Sequence, residues 1–219
     1  MKKKRLGLIH TSATLVPVFA ALCKAKLPHV DVFNIVDDSL VRSIREAGRI
    51  TPTIEMRVAG YLTSAAYAGA DYIMVTCSSI GPAVEAGAKG IPTPVLRVDL
   101  PMADQAVAAG KKIGVIATLS TTLEPTAELI ERRAALAEKK IELTAKLVEG
   151  AFEALMAGDG STHDAKVAAA LRELSRHVDV IVLAQASMAR VVDSLAAADK
   201  RVPILASPPL AVDYLATVL

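Results

Sequence analysis

Cys77 is the residue of this sequence best placed to do chemistry. Thr76 precedes it, and Ser78, Ser79 and a Gly81-Pro82 break follow the apolar run Tyr72-Ile73-Met74-Val75. A run of that length closed by small polar residues reads as a buried parallel strand, and its carboxyl end is where open α/β sheets bind ligands. A helix expected from Pro82 would turn its amino end toward the thiol, which favours the thiolate, a base and a nucleophile. The plain alternative is a small buried hydrophobe, and that reading suits Cys23, midway along an apolar helix.

The other chemistry-bearing residues lie at further strand ends. His10 ends a first strand and is expected near Cys77, as an ion-pair partner of the thiolate or a proton relay, or else as a loop histidine bonded to backbone. Ser12 and Thr14 follow it, and Thr118, Thr121 and Thr122 stand in a matching loop. Hydroxyls beside unpaired helix amides form a cradle for a carboxylate, although ordinary capping needs one such residue per loop. Asp37 and Asp38 read as turn residues or substrate contacts, since no His or Glu follows to complete a metal site. His163 and Asp164 form an acid/base pair on paper but stand where a helix needs a cap, which Ser161 or Thr162 also supplies. His29, after Pro28, reads as surface.

An internal repeat shows which elements must position these residues. The segment from Asp71 to Ser79 matches the segment from Asp179 to Ser187 at an offset of 108, which lays Cys77 on Gln185. Gly7 to Pro17 likewise matches Gly114 to Pro125, with one residue inserted in the loop. Strand and helix alternate through both stretches. Strands are expected at residues 6–9, 30–36, 71–77, 94–98, 113–117, 141–148, 178–184 and 202–206. Helices are expected at 17–26, 53–68, 82–88, 125–140, 161–176 and 188–198 and from Pro209, with 40–47 a short helix or ordered loop and 149–160 a connection. The fold class is therefore α/β: two pseudo-symmetric halves, each a four-stranded parallel sheet with helices on both faces, and a site in the cleft between them. Residues 1–98 with 207–219 form the first half, and 99–206 the second.

Composition excludes several function classes. Lys and Arg number 25 against 23 Asp and Glu, so no nucleic-acid footprint arises. Two cysteines without a CxxC pair argue against a disulfide framework or zinc site and for a reducing, cytoplasmic setting. Met1-Lys2-Lys3-Lys4-Arg5 before an apolar stretch imitates a signal peptide, but His10, Thr11, Ser12, Thr14 and Pro17 interrupt the stretch and the repeat makes it a first strand and helix. No apolar segment reaches the roughly 18 residues of a membrane span.

With Thr76-Cys77-Ser78-Ser79 and the repeat in view, the chain resembles the aspartate/glutamate racemase superfamily, which includes hydantoin racemases, maleate cis-trans isomerase and arylmalonate decarboxylase. The resemblance implies two flavodoxin-like halves, each presenting a cysteine: one thiolate removes the proton beside a carboxylate, and the other thiol delivers one to the opposite face. It implies a small carboxylic acid as substrate, no metal or organic cofactor, and a homodimer. Cys77 matches the first-half cysteine, while Gln185, followed by Ser187, stands in place of the second. His10 takes the position of an aspartate in glutamate racemases. The expected activity is that of a racemase or isomerase, with a one-cysteine decarboxylase or carbon–carbon lyase, or a carboxylate-binding protein without chemistry, as alternatives.

Overall fold

The computed structural model describes residues 3–219. The first half runs β1 (Arg5–His10), α1 (Leu15–Lys26), β2 (Asp31–Val36), α2 (Ser39–Ala47), α3 (Pro52–Tyr67), β3 (Tyr72–Val75), α4 (Gly81–Ala88) and β4 (Val95–Arg97). The second runs α5 (Leu100–Ala109), β5 (Lys112–Ala117), α6 (Ser120–Leu136), β6 (Glu142–Leu147), α7 (Ala151–Met156), α8 (Gly160–Leu174), β7 (Val180–Leu183), α9 (Ala189–Ser194) and β8 (Ile204–Ala206) before α10 (Ser207–Val218). Two compact units result: unit 1 ends at Asp99 and takes in Pro208–Leu219, and unit 2 is Leu100–Ser207. Each holds one parallel sheet, ordered β2-β1-β3-β4 and β6-β5-β7-β8. The two α/β sheets expected from the repeat are present.

Strand order explains the hydrophobic pattern. β1 and β3, and β5 and β7, are central and almost wholly buried, whereas the edge strands β2 and β6 alternate exposed and half-buried residues. Ile9, Ile73 and Val75 join Ile54, Val58 and Leu62 of α3 in one core, and Ile116, Ile181 and Leu183 join Val167, Leu171 and Leu174 of α8 in the other. Gly114 lets α8 lie close: a Cβ there would meet Leu174 Cδ2 at 2.6 Å. Among the described residues no helix is long and apolar enough to cross a membrane.

Four sequence expectations are corrected. α6 begins at Ser120 rather than Pro125, because Leu119 is extended and its carbonyl accepts from the amides of Thr122 and Leu123. Pro125 then lies inside the helix, where it forfeits a single early bond. Asp159, not Ser161 or Thr162, caps α8, accepting from the Thr162 amide at 3.0 Å. The connection after β6 contains α7. The helix expected to run to Ala198 stops at Ser194, where Leu195 turns extended.

Candidate functional site

In unit 1 the strand register fixes where each side chain points. Ile9 pairs with Val75, so His10 and Thr76 share a level and a face, and Leu8 pairs with Asn34, which shares that face on β2. His10 is fully buried; its Nδ1 lies 2.8 Å from Thr76 Oγ1 and its Nε2 2.9 Å from Asn34 Oδ1. The Phe19 ring packs beside it at 5.7 Å between centroids. Desolvation lowers the imidazole pKa, opposed by the bond to Asn34. His10 is thus neutral near pH 7 and joins three strands through side chains.

Cys77, next in the chain, is extended and takes the other face. It packs against the core of Ile9, Val75 and Ile80. The expectation that His10 pairs with the thiolate is therefore corrected: its hydrogen bonds go to Thr76 and Asn34, one strand position and one face away from the sulfur. A 3-10 turn at Ser78–Ile80 separates Cys77 from α4, so the nearest amino end belongs to that turn rather than to a helix at Pro82. Thr76, Ser78 and Ser79 are each about 5% exposed, while Cys77 is half-buried and free. The thiol is the accessible group of its turn. Cys23 is buried, and desolvation raises its pKa to about 11.

Ser12 and Thr14 bond each other, Oγ to Oγ1 at 2.8 Å, and neither caps α1. Asp37, read from sequence as a turn or contact residue, is held by the Ser39 amide and hydroxyl and by Arg57 and Tyr61 of α3. Burial works against its charge, but these donors outweigh it and keep the carboxyl below its usual range. Behind the cysteine turn, Arg97 donates from Nε to Asp99 at 3.0 Å, from Nη2 to the same carboxylate at 2.8 Å and from Nη1 to Glu85 at 2.6 Å. A Cβ on Gly81 would lie 2.6 Å from Arg97 Nε, so the guanidinium rests directly on the backbone that opens α4. Sequence reading missed Asn34, Arg57, Tyr61 and Arg97. The available signals were Arg57 and Tyr61 four apart on α3 and Arg97 and Asp99 two apart at a strand end.

Unit 2 repeats the turn with different chemistry. Gln185 has φ −133° and ψ 136°, against −132° and 119° at Cys77, and a 3-10 turn at Ala186–Met188 follows. Its Oε1 accepts from the Thr118 amide at 2.6 Å and from Thr118 Oγ1 at 2.9 Å. Thr118 is thereby engaged, while Thr121 and Thr122 stand in the first turn of α6, Thr122 buried. Ser187 is half-buried in the turn. His163 is fully buried on α8 and bonds Asp164, and His29 is exposed. Among the described residues no group of three or more His, Cys, Asp or Glu side chains is arranged to hold a metal ion.

Residues 6–215 match the family model for Asp/Glu/hydantoin racemases. No curated protein matches the chain. Among solved structures, glutamate racemase isoform RacE1 from Bacillus anthracis is similar, with a TM-score of 0.73 at 18% identity, covering 100% of this chain and 82% of its own. Allantoin racemase from Klebsiella pneumoniae gives 0.71 at 17%, covering 98% and 87%. Aspartate racemase from Picrophilus torridus gives 0.69 at 13%, covering 98% and 94%. At these identities the likeness speaks for the fold.

Proposed function

The chain belongs to the Asp/Glu/hydantoin racemase family, and from that premise we propose that it is a racemase-type isomerase of a small carboxylic acid, with Cys77 carrying the proton. The observation that supports this most is the exposure pattern of the β3 turn: a free, half-buried thiol among buried hydroxyl-bearing neighbours. The Cys77 thiolate takes the proton from the carbon beside the carboxylate, the electron pair passes into the carboxylate, and reprotonation follows. Positioned proton transfer of this kind contributes about 10²–10⁴-fold to rate. The reading calls for no cofactor, since sulfur itself carries the proton. Attack of the thiolate on an unsaturated carbon, as an isomerisation would use, is open to the same residue. A homodimer in the cytoplasm completes the reading, and light scattering at the monomer mass would remove the dimer.

Gln185 favours a second reading. An amide does not exchange protons with carbon at useful rates, so a reaction confined to Cys77 would be one-sided, such as a decarboxylation or carbon–carbon cleavage. Aspartate and glutamate, each as both enantiomers, are to be incubated with the protein in deuterated water, reading deuterium and configuration at the reacting carbon. Exchange that Cys77→Ala abolishes for at least one enantiomer is expected; undiminished exchange in that variant would refute the role of Cys77. Alkylation separates an enzyme from a carboxylate-binding protein, because an activated Cys77 reacts near neutral pH far faster than Cys23.

A further inference from the structure

In unit 1, Asp37 and Cys77 leave their strands at one level. Ile9 pairs with Ile35 on one side and with Val75 on the other, and Asp37 and Cys77 lie two positions beyond those partners, so both take the same face of the sheet. The ladder carries on to Asp37, whose amide donates to the His10 carbonyl at 3.0 Å. That face is the one α3 covers: Cys77 and Tyr61 pack against the same core, which Ile54, Val58 and Ile80 help to form. With β1 between them, the two strand ends stand two strand spacings apart, about 10 Å. One end offers a thiol, and the other is covered by a guanidinium.

Arg57 of α3 lies on the Asp37 end. The hydrogen bonds it donates to Asp37 and to Ser39 Oγ both leave from Nη2. Nε and Nη1 carry three more N–H groups, of which the Tyr61 oxygen beside the guanidinium can take one. The side chain is 30% exposed. Asp37 makes no further call on these groups, since its two oxygens already accept from the Ser39 amide and hydroxyl, from Nη2 and from Tyr61. A tie between helix and loop needs less. In unit 2 Lys166, as far after Arg57 as Val167 is after Val58, makes that tie with one bond, from Nζ to the Glu149 carbonyl at 3.2 Å. A guanidinium anchored through one nitrogen presents the others as a planar donor set for an acid, which an ammonium in its place does not.

We propose that Arg57 binds the distal carboxylate of a diacid substrate whose reacting carbon lies against Cys77, and so selects which acids unit 1 accepts. Arg57 can select only among acids that Cys77 turns over, so the assignment rests on the racemase-type reading and names its substrate class. Of the span of about 10 Å between the strand ends, contacts of about 3 Å at the thiol and at the guanidinium leave about 4 Å. That remainder is the reach of two or three carbon–carbon bonds of about 1.5 Å each, which is the spacer of a diacid with roughly four or five carbons. An acid of the same length that ends in a hydrocarbon covers the N–H groups of Arg57 without giving them an acceptor, and loses affinity for that reason.

The test reads how well two acids of equal length, glutarate and pentanoate, protect Cys77 of the full-length protein from iodoacetamide. Glutarate is expected to protect at a concentration at least about tenfold below that of pentanoate. Arg57→Gln is expected to bring the two acids together, and Arg57→Lys to restore part of the difference. Each protein supplies its own ratio of the two acids, so the comparison holds whatever a variant costs in stability. A merely structural Arg57 would weaken both acids alike, leaving their ratio unchanged in Arg57→Gln, and that result overturns the proposal. Pentanoate protecting the unaltered protein as well as glutarate also overturns it, and leaves the role of Cys77 standing. Protection by neither acid overturns it together with the reading of Cys77 as a residue that meets a carboxylic acid.

Discussion

Replacing Arg97 by methionine isolates what holds the cysteine turn in place. Asp99 is 0% exposed and receives two bonds from the guanidinium, whereas Glu85 is 42% exposed at its side chain and can turn to water. Arg97→Met therefore leaves one sealed carboxylate without its cation. Breaking a buried pair in this way costs about 3–5 kcal/mol, a large share of the roughly 5–15 kcal/mol that holds a folded protein together. The partly exposed Glu85 arm adds at most about 1 kcal/mol. Removing both charges is different: Arg97→Met with Asp99→Leu leaves no sealed carboxylate without its cation, and at least half of the loss should return. Urea unfolding followed by circular dichroism gives the three stabilities, and the rate at which iodoacetamide modifies Cys77 reports the turn. Stability should recover in the double variant while the alkylation rate stays altered, because methionine does not seat the Gly81 backbone as the guanidinium does. A cost below about 1 kcal/mol for Arg97→Met, or a double variant as unstable as the two singles combined, would refute this account of the clamp.

Gly81→Ala drives a Cβ to 2.6 Å from Arg97 Nε and should cost about 1–3 kcal/mol; the same substitution beside Arg97→Ala should cost measurably less in the same urea titration. Asp37 has its pKa lowered by its donors despite burial, so its stabilisation is present above the unfolded carboxyl value near about 4 and is lost as pH falls through the folded value. Asp37→Asn should accordingly flatten the acid limb of the stability curve below about pH 4, and an unchanged limb would contradict the network. His10 has its pKa lowered by desolvation, so the stability tied to its neutral form is present above about pH 6.5 and is lost as pH falls from there toward the folded value. In His10→Gln that part of the curve should lose its slope, whatever the baseline cost of the broken bonds to Thr76 and Asn34.

The two-sheet plan was legible because a repeat is a signal over many residues, and chance does not align Gly7 with Gly114, Asp71 with Asp179 and Ser79 with Ser187 together. The position of Cys77 at a strand end was legible for a simpler reason, since the apolar run Tyr72–Val75 stops just before it. Pro125 misled the reading of α6, since a proline marks a first turn in most helices and here sits in the second. Side-chain partners were hidden. His10 stands at the expected strand end, but whether it meets Thr76 or Cys77 depends on the face it takes, and that follows from the pairing of Ile9 with Val75. The Asp37 network joins the loop after β2 to α3 across 20 residues, a separation that the spacing of Arg57 and Tyr61 on α3 does not report. His163 looked like a cap because Asp159, four residues earlier, was not weighed as one.

The bond between Gln185 and Thr118 has a consequence for affinity. A carboxamide oxygen that accepts from a backbone N–H and a hydroxyl at once does for Thr118 what a carboxylate oxygen from solution would do. The Gln185 oxygen thus fills both donors of Thr118 from within the chain. A tethered group acts at an effective concentration that reaches the millimolar range even for flexible linkers, and Gln185 is held by far fewer rotatable bonds. Any free acid bound through these same two donors would first have to displace that oxygen. Shortening the side chain would turn a self-occupied seat into an open one without moving the backbone, which already has the shape of the cysteine turn.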